Sequence, residues 1–324
     1  MKAITNAKYG SPDVLELKEV VKPVPKEDEV LIRVHAASAN AGDWHILRGS
    51  PFIMRLVGFG LFKPKYTILG TDVAGTIESV GNSVKQFKVG DEVYGDLSLN
   101  GYGGYAEYVC TRENSIVLKP ANISFEEAAA VPTAAVTALQ GLRDHGKIEA
   151  GQKVLVNGAS GGIGTFAVQL AKAFGAEVTA VCSTKNLEIV RSIGADHTVD
   201  YTKENFTKSG KQYDLILAPN GYHPISDYKR ALTDNGRYVM TGGATKQMFE
   251  AMLLGPWISM TGNKKMSNSL IKPNQKDLEF LKGLLEAGKV KPVIVKRYKL
   301  SEVAEAVRYV ESGHAQGKVV INVL

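Results

Sequence analysis

The residues best suited to chemistry lie in one stretch. Lys153-Val154-Leu155-Val156-Asn157 gives way to Gly158-Ala159-Ser160-Gly161-Gly162-Ile163-Gly164, and then to Phe166-Ala167-Val168-Gln169-Leu170-Ala171-Lys172. An apolar β-branched run that enters a glycine-rich turn and continues in a helical pattern reads as strand, turn and helix. The unpaired N–H groups and the dipole at the start of such a helix favour a bound anion, a pyrophosphate above all. Ala159, Gly161 and Gly164 fall on the three small-residue positions of the dinucleotide fingerprint, which serve the tight turn, the backbone approach and the helix–strand packing. Ser160, Gly162 and Ile163 fill the remaining positions of the turn. Glycines alone also occur in strand–turn–helix units that bind nothing, but here a second strand, Glu177-Val178-Thr179-Ala180-Val181-Cys182, follows at the required distance.

The end of that second strand separates NAD from NADP. An acidic side chain there would accept hydrogen bonds from a ribose 2′-hydroxyl and repel a 2′-phosphate. The chain instead continues Ser183-Thr184-Lys185, and a hydroxyl with an ammonium suits a phosphate. NADPH is therefore the expected cofactor, with Ser183 and Lys185 reading its 2′-phosphate; the competing reading makes Lys185 an exposed lysine at a helix start. Tyr201 begins the loop after the next short strand. It either closes over the adenosine phosphate or is an ordinary surface tyrosine.

These residues require a parallel sheet with crossover helices, and the pattern supplies one. From Met1 to about Ile123 the texture is short β-like runs such as Val30–Val34 and Gly75–Val80, separated by Gly, Pro and Asn, as in an antiparallel barrel. From Ser124, an N-cap with Glu126 and Glu127 behind it, helices and strands alternate. Asp277–Ala287 and Ser301–Ser312 read as amphipathic helices, and Lys318–Val323 as a closing strand. The expected class is thus α/β. A chain of 324 residues with 44% hydrophobic content can bury a substantial core. No apolar run spans a bilayer, and the first residues lack a signal-peptide core, so no integral membrane association and a cytoplasmic location are expected. The two cysteines, Cys110 and Cys182, exclude a disulfide framework and a four-cysteine zinc lobe. The net charge of +6 is spread in short clusters, which reads as a solvated surface and not a nucleic-acid site.

Gly70-Thr71-Asp72-Val73-Ala74-Gly75 through Gly81, Val89-Gly90-Asp91-Glu92-Val93-Tyr94-Gly95, the glycine turn, and Gly317-Lys318-Val319-Val320-Ile321 occur in an order and spacing that resembles the medium-chain dehydrogenase/reductase superfamily over essentially the whole chain. The match is to its quinone oxidoreductase and enone reductase branch. The resemblance implies a partly open GroES-like β-barrel catalytic domain, residues 1–123 and 268–324, and a Rossmann doubly wound domain, residues 124–267, with the active site in the cleft between them. It places Asn40, Thr71 and Thr133 where zinc relatives carry metal ligands, and none of the three is a normal zinc ligand, so no metal is expected. The proton relay of the alcohol dehydrogenases is interrupted at Gly42, although His45 stands at its outer position.

What the resemblance then implies is hydride transfer from NADPH to a hydrophobic quinone, or to the β-carbon of an α,β-unsaturated ketone or aldehyde. Asn40 would position the nicotinamide ribose or polarise the substrate, unless it is only a turn residue, and Thr137 would contact the nicotinamide. Asp43 reads as a structural hydrogen-bond acceptor in the loop, and Thr133 as a neighbour on the cleft wall. Two apolar stretches, Pro51–Phe62 and Met248–Trp257, either line a roomy pocket for a hydrophobic small-molecule electron acceptor or serve as a flap and a dimer-interface helix. A homodimer is expected. The competing function class is a non-catalytic NADPH-binding redox sensor or an RNA-binding relative.

Overall fold

The computed structural model describes residues 1–243, 245–269 and 271–324. Ala244 and Leu270, which fall within the expected cofactor and catalytic spans, lie outside the described residues. The chain forms two compact units: Met1–Thr133, Pro273–Glu286 and Ile294–Leu324 make the first, and Ala134–Lys272 with Ala287–Val293 the second.

In the first unit the elements are β1 (Lys2–Thr5), β2 (Glu16–Glu19), β3 (Glu29–Ala39), α1 (Ala41–Arg48), β4 (Asp72–Val80), β5 (Glu92–Asp96), β6 (Tyr108–Arg112), β7 (Ile116–Leu118) and α2 (Phe125–Ala129). The helix α3 (Pro132–Gln140) leads into the second unit, which contains β8 (Lys153–Asn157), α4 (Gly162–Ala173), β9 (Glu177–Cys182), α5 (Leu187–Ser192), β10 (His197–Asp200), β11 (Tyr213–Ala218), α6 (Ile225–Ala231), β12 (Leu232–Met240), α7 (Thr245–Thr261) and β13 (Lys265–Asn268). The chain then returns through α8 (Gln275–Glu286), β14 (Ile294–Lys299), α9 (Val303–Glu311) and β15 (Lys318–Asn322).

The first unit is built on a seven-stranded sheet in the order β14-β15-β3-β4-β5-β7, with β6 on β3. Val30, Ile32 and Val34 alternate along β3 into a core shared with Val73, Ile77, Val93 and Ile116, the period-two pattern of a half-buried strand. Two register shifts in the β3–β4 ladder mark bulges, which increase local twist and bend the strand. Register matters most at the end of β3. Ser38 lies opposite Asp72 of β4 and Val320 of β15, and Asp72 lies opposite Asp96 of β5. One row across four strands thereby gathers residues far apart in sequence.

The second unit is a six-stranded parallel sheet in the order β10-β9-β8-β11-β12-β13, the doubly wound arrangement with its switch point between β8 and β11. Its central strands β8, β9 and β11 are mostly apolar, as strands covered on both faces must be; Val154, Leu155 and Val156 are wholly buried. Among the described residues no helix is long and apolar enough to cross a membrane.

Two local features depart from the sequence reading. Residues after Asn40 form a helix, α1, where a loop was expected, because Asp43 in its first turn accepts a hydrogen bond from the Asn40 backbone N–H at 2.7 Å and satisfies a helix-start donor. The helix α2, capped by Ser124 as expected, packs on β3 and β4 and so groups with the first unit.

Candidate functional site

Two sets of candidate residues are gathered by the fold, one in each unit. In the parallel-sheet unit, β8 ends in the turn Gly158-Ala159-Ser160 and α4 begins at Gly162 with Gly161 as its N-cap. The first intrahelical bond runs from Thr165 N–H to Gly161 O, so the N–H groups of Gly162, Ile163 and Gly164 remain to face a ligand. The glycines divide the labour. A Cβ on Gly161 would find nothing nearer than Gly158 O at 3.5 Å, whereas one on Gly164 would sit 2.1 Å from Gly158 O and 2.7 Å from the Ala159 carbonyl carbon. Gly164 is required by the fold, while Gly161 keeps open the space a pyrophosphate would fill. Ala159 is wholly buried in the turn, its N–H donating to Val181 O at 3.0 Å.

At the end of β9, Ser183 and Lys185 flank Thr184 in a short 3-10 turn, with Lys185 exposed. Tyr201, 59% exposed, is tied to the same place by its backbone N–H, which donates to Cys182 O at 3.1 Å. A residue that the sequence reading passed over joins these parts. Asn186 donates from Nδ2 to Ser160 Oγ at 2.9 Å and Ser183 Oγ at 3.2 Å, while its Oδ1 is buried with no partner. Asp200 is the one carboxylate among these residues. Thr184 and Thr202 donate to it, and these hydrogen bonds hold it below the usual carboxylate range. An open turn at a helix start, a hydroxyl, an ammonium and an orphaned amide oxygen together fit a phosphorylated dinucleotide.

In the barrel unit the polar residues of the aligned row meet around Asp72, which is fully buried. Its Oδ2 accepts from Ser38 Oγ at 2.7 Å, Asn40 Nδ2 at 3.0 Å and Lys318 Nζ at 3.4 Å. Its Oδ1 accepts from the Thr133 backbone N–H at 2.9 Å and hydroxyl at 2.6 Å. The Thr133 N–H belongs to the first turn of α3, where a carboxylate is favoured by the helix dipole. Lys318 also donates to Asn40 Oδ1 at 2.5 Å. Burial holds the Lys318 ammonium below its usual range, against the pull of Asp72. Asp96, 3.2 Å from the Thr133 hydroxyl, is raised by burial and by the like charge of Asp72. Beside this network Asp43 accepts from Asn40 N–H and from Tyr105 OH at 2.9 Å, its other oxygen is buried without a partner, and burial raises it to about 7. Asp43 thus has the acceptor role read from the sequence, on a helix and not a loop.

Asn40, Thr71 and Thr133 do converge: Asn40 Nδ2 donates to Thr71 Oγ1 at 3.1 Å, and Thr133 Oγ1 approaches Thr71 Oγ1 at 3.4 Å. The donor set does not suit zinc. An amide nitrogen and two hydroxyls are poor ligands, and an ammonium already occupies the amide oxygen and repels a divalent cation. Among the described residues no three His, Cys, Asp or Glu side chains are grouped to hold a metal. His45 is turned to Ser50 O, 2.9 Å from Nδ1, and burial lowers its pKa. Thr137, nearly buried, lies one helical turn along α3 from Thr133.

The two apolar stretches are exposed within their units. Phe52, Ile53, Leu56 and Phe62 are all more than half exposed, on a segment anchored by Tyr9 OH, which donates to Phe59 O and Gly60 O at 2.6 Å, and by Arg55, which donates to Gly49 O and Arg48 O. The side chain of Val57 in this stretch lies outside the described atoms. On α7, Phe249, Met252, Leu253 and Trp257 are likewise more than half exposed.

Known proteins resemble this chain over its whole length. The family described as alcohol dehydrogenase GroES-like domain matches residues 26–121, and that described as zinc-binding dehydrogenase matches residues 193–321. A 2-methylene-furan-3-one reductase of Solanum lycopersicum is 40% identical over 341 residues, covering 99% of this chain and 79% of that protein. An NADPH-dependent alkenal/one oxidoreductase, chloroplastic, of Arabidopsis thaliana is 38% identical, with the same 99% and 79% coverage. The solved quinone oxidoreductase from Coxiella burnetii shares the fold with a TM-score of 0.89 at 30% identity, over 100% of this chain and 99% of that one.

Proposed function

The chain belongs to the quinone oxidoreductase and alkenal/one oxidoreductase branch of the medium-chain dehydrogenase/reductase superfamily, and from that premise we propose that it reduces a hydrophobic quinone or the β-carbon of an α,β-unsaturated ketone or aldehyde with NADPH. When bound, NADPH supplies the hydride. The N–H groups of Gly162, Ile163 and Gly164 hold the pyrophosphate, Ser183 and Lys185 bind the 2′-phosphate, Tyr201 closes over it, and Asn186 keeps the two ends in register. Thr137 contacts the nicotinamide and Asn40 positions the reacting groups. The observation that carries the reading is the ammonium-centred hydrogen-bonded network standing where relatives bind metal. The zinc route to a simple carbonyl uses a Lewis acid and a relay, whereas conjugate addition needs only fixed donors for the oxygen that becomes charged.

The same reading includes a hydrophobic small-molecule acceptor, a homodimer, no nucleic-acid partner and a cytoplasmic location. The location is checked by fractionation, since the Arabidopsis relative is named chloroplastic. The sensor and RNA-binding readings are not favoured by relatives named as oxidoreductases.

Steady-state oxidation of NADPH by a simple enone, with the product identified by mass spectrometry, tests the activity. A saturated ketone is expected, and activity persists after chelator treatment. An allylic alcohol, or NADPH binding without turnover, overturns the proposal. Lys185→Ala tests the cofactor assignment. Loss of one charge-assisted contact at an exposed site weakens NADPH by about 1–2 kcal/mol, roughly tenfold, and leaves NADH affinity unchanged. Equal weakening of both cofactors would remove Lys185 from the 2′-phosphate.

A further inference from the structure

We propose that Asn186 is a positioning residue that aims the Ser160 and Ser183 hydroxyls at the cofactor, one at the pyrophosphate and one at the 2′-phosphate; this deepens the NADPH reading and rests on it. All three residues belong to the parallel-sheet unit. They meet because β8 pairs with β9 so that Asn157 lies opposite Val181, and the N–H groups of Gly158 and Ala159 both donate to Val181 O, at 3.1 and 3.0 Å. The glycine turn is thereby held against the end of β9. From that strand end the 3-10 turn Thr184–Asn186 brings Asn186 back toward the glycine turn, closed by the Asn186 N–H on Ser183 O at 2.9 Å.

Where each hydroxyl proton goes decides the roles. Ser160, Ser183, Thr184 and Thr202 place their hydroxyls around the end of β9. Thr202 donates to Asp200 at 2.7 Å, and Thr184 donates to the same carboxylate, so those two protons are taken. Ser160 and Ser183 instead accept, both from Asn186 Nδ2, at 2.9 and 3.2 Å. An amide NH2 carries two hydrogens, and these two bonds use both. Neither serine proton has an acceptor among the described residues, and both serines are half-buried, whereas Asn186 behind them is 5% exposed. The two hydroxyls left with a proton to give are therefore more open to a ligand than the amide that orients them.

Each serine has a phosphate within its own element. Ser160 directly precedes Gly161, whose open side leaves room at the start of α4, and Ser183 ends β9 two residues before Lys185, where the ribose is read. An ionised phosphate oxygen accepts hydrogen bonds, so a serine binds it with its O–H turned outward. By giving its own hydrogens to both serine oxygens, Asn186 enforces that orientation at both sites. Fold stability alone gives no reason for an amide here. Its Oδ1 is buried without a partner among the described residues, which destabilises a fold, and a leucine of nearly the same shape would avoid that penalty.

The test titrates NADPH and NADH, by their fluorescence, against the full chain and its variants Ser160→Ala, Ser183→Ala and Asn186→Leu, singly and combined. Loss of one hydroxyl–phosphate contact weakens binding about tenfold. Ser160→Ala should do this to both cofactors, and Ser183→Ala to NADPH alone. Asn186→Leu should weaken NADPH about tenfold and NADH about threefold, while the melting temperature of the ligand-free protein holds or rises because an orphaned acceptor is gone. With both serines replaced by alanine, Asn186→Leu should change neither affinity, since no hydroxyl is left to aim. A merely structural role would lower the melting temperature and both affinities in every background. That result, or unaltered NADPH affinity in Ser183→Ala or Asn186→Leu, would overturn the proposal. Should Asn186→Leu not fold, Asn186→Asp reads the same cycle: its carboxylate draws both serine protons inward, so its cost to NADPH should shrink at least about threefold when both serines are alanine, and an equal cost in the two backgrounds overturns the proposal. A wild type that binds NADH as tightly as NADPH would overturn the cofactor reading on which it rests.

Discussion

At the scale of single residues, the buried carboxylates set the energetics of the barrel-unit site. Asp43 has no counter-ion at hydrogen-bond distance, one of its oxygens is unpartnered, and its pKa is raised to about 7. In the unfolded chain the same carboxyl titrates near ~4. Folding therefore takes up a proton between these values. The contribution of Asp43 to stability is fully present below about pH 4 and is lost as pH rises through about 7. Asp43→Asn, which keeps the acceptor for Asn40 and Tyr105 and removes the charge, should erase that dependence. Thermal melting of both proteins from pH 5 to pH 8 checks this: the wild-type midpoint should fall relative to that of the variant as pH rises. A constant difference would mean that Asp43 does not titrate in this range. The sequence reading made Asp43 a structural acceptor, but placed it in a loop. Its burial was invisible, since it depends on residues distant in sequence such as Tyr105, whose hydroxyl donates to it.

At the scale of elements, the glycine turn separates a residue the fold needs from one that leaves open space beside the helix start. A Cβ at Gly164 would collide with backbone of the preceding turn at 2.1 Å, whereas at Gly161 the nearest atom is 3.5 Å away. Gly164→Ala should therefore destabilise the protein, by about 1–3 kcal/mol if the turn shifts to admit the methyl group. Gly161→Val should fold with nearly unchanged stability and lose both NADPH and NADH, because the side chain enters the pyrophosphate volume. Melting temperature and fluorescence titration of the two variants give the answer; retained affinity in Gly161→Val would show that the pyrophosphate does not pass there. This element was legible because a strand, a turn and a helix are contiguous and each has its own local period. The same local logic missed α1, where eight residues carry too few apolar positions to display a helical period, and missed Asn186, whose link between Ser160 and Ser183 requires two strand ends to be adjacent.

At the scale of the whole molecule, the proposed homodimer bears on the exposed apolar stripe of α7. Phe249, Leu253 and Trp257 recur every four residues, and Met260 continues the stripe; Leu253 and Met260 are 73% and 85% exposed. Side chains of this kind in water are a standing reason for association. Wild type should sediment with the mass of two chains, and Leu253→Asp with Trp257→Asp should shift it to one. A single-chain mass for wild type would remove the homodimer. What the sequence determined by itself were the features written in neighbouring residues: the α/β class, the cofactor turn, the non-acidic end of β9, and the substitution of Asn40, Thr71 and Thr133 at the metal positions. The first three depend on local period, turn chemistry or residue type, and the metal positions on the resemblance to the superfamily. Only the tertiary structure decided what those substitutions do together. Lys318 and Asn40 are separated by 278 positions and meet because β15 pairs with β3 in one register. A shift of one residue would turn Lys318 to the opposite face of the sheet, since side chains alternate along a strand. No spacing in the sequence encodes that register; it is fixed by which faces of the two strands can be buried together.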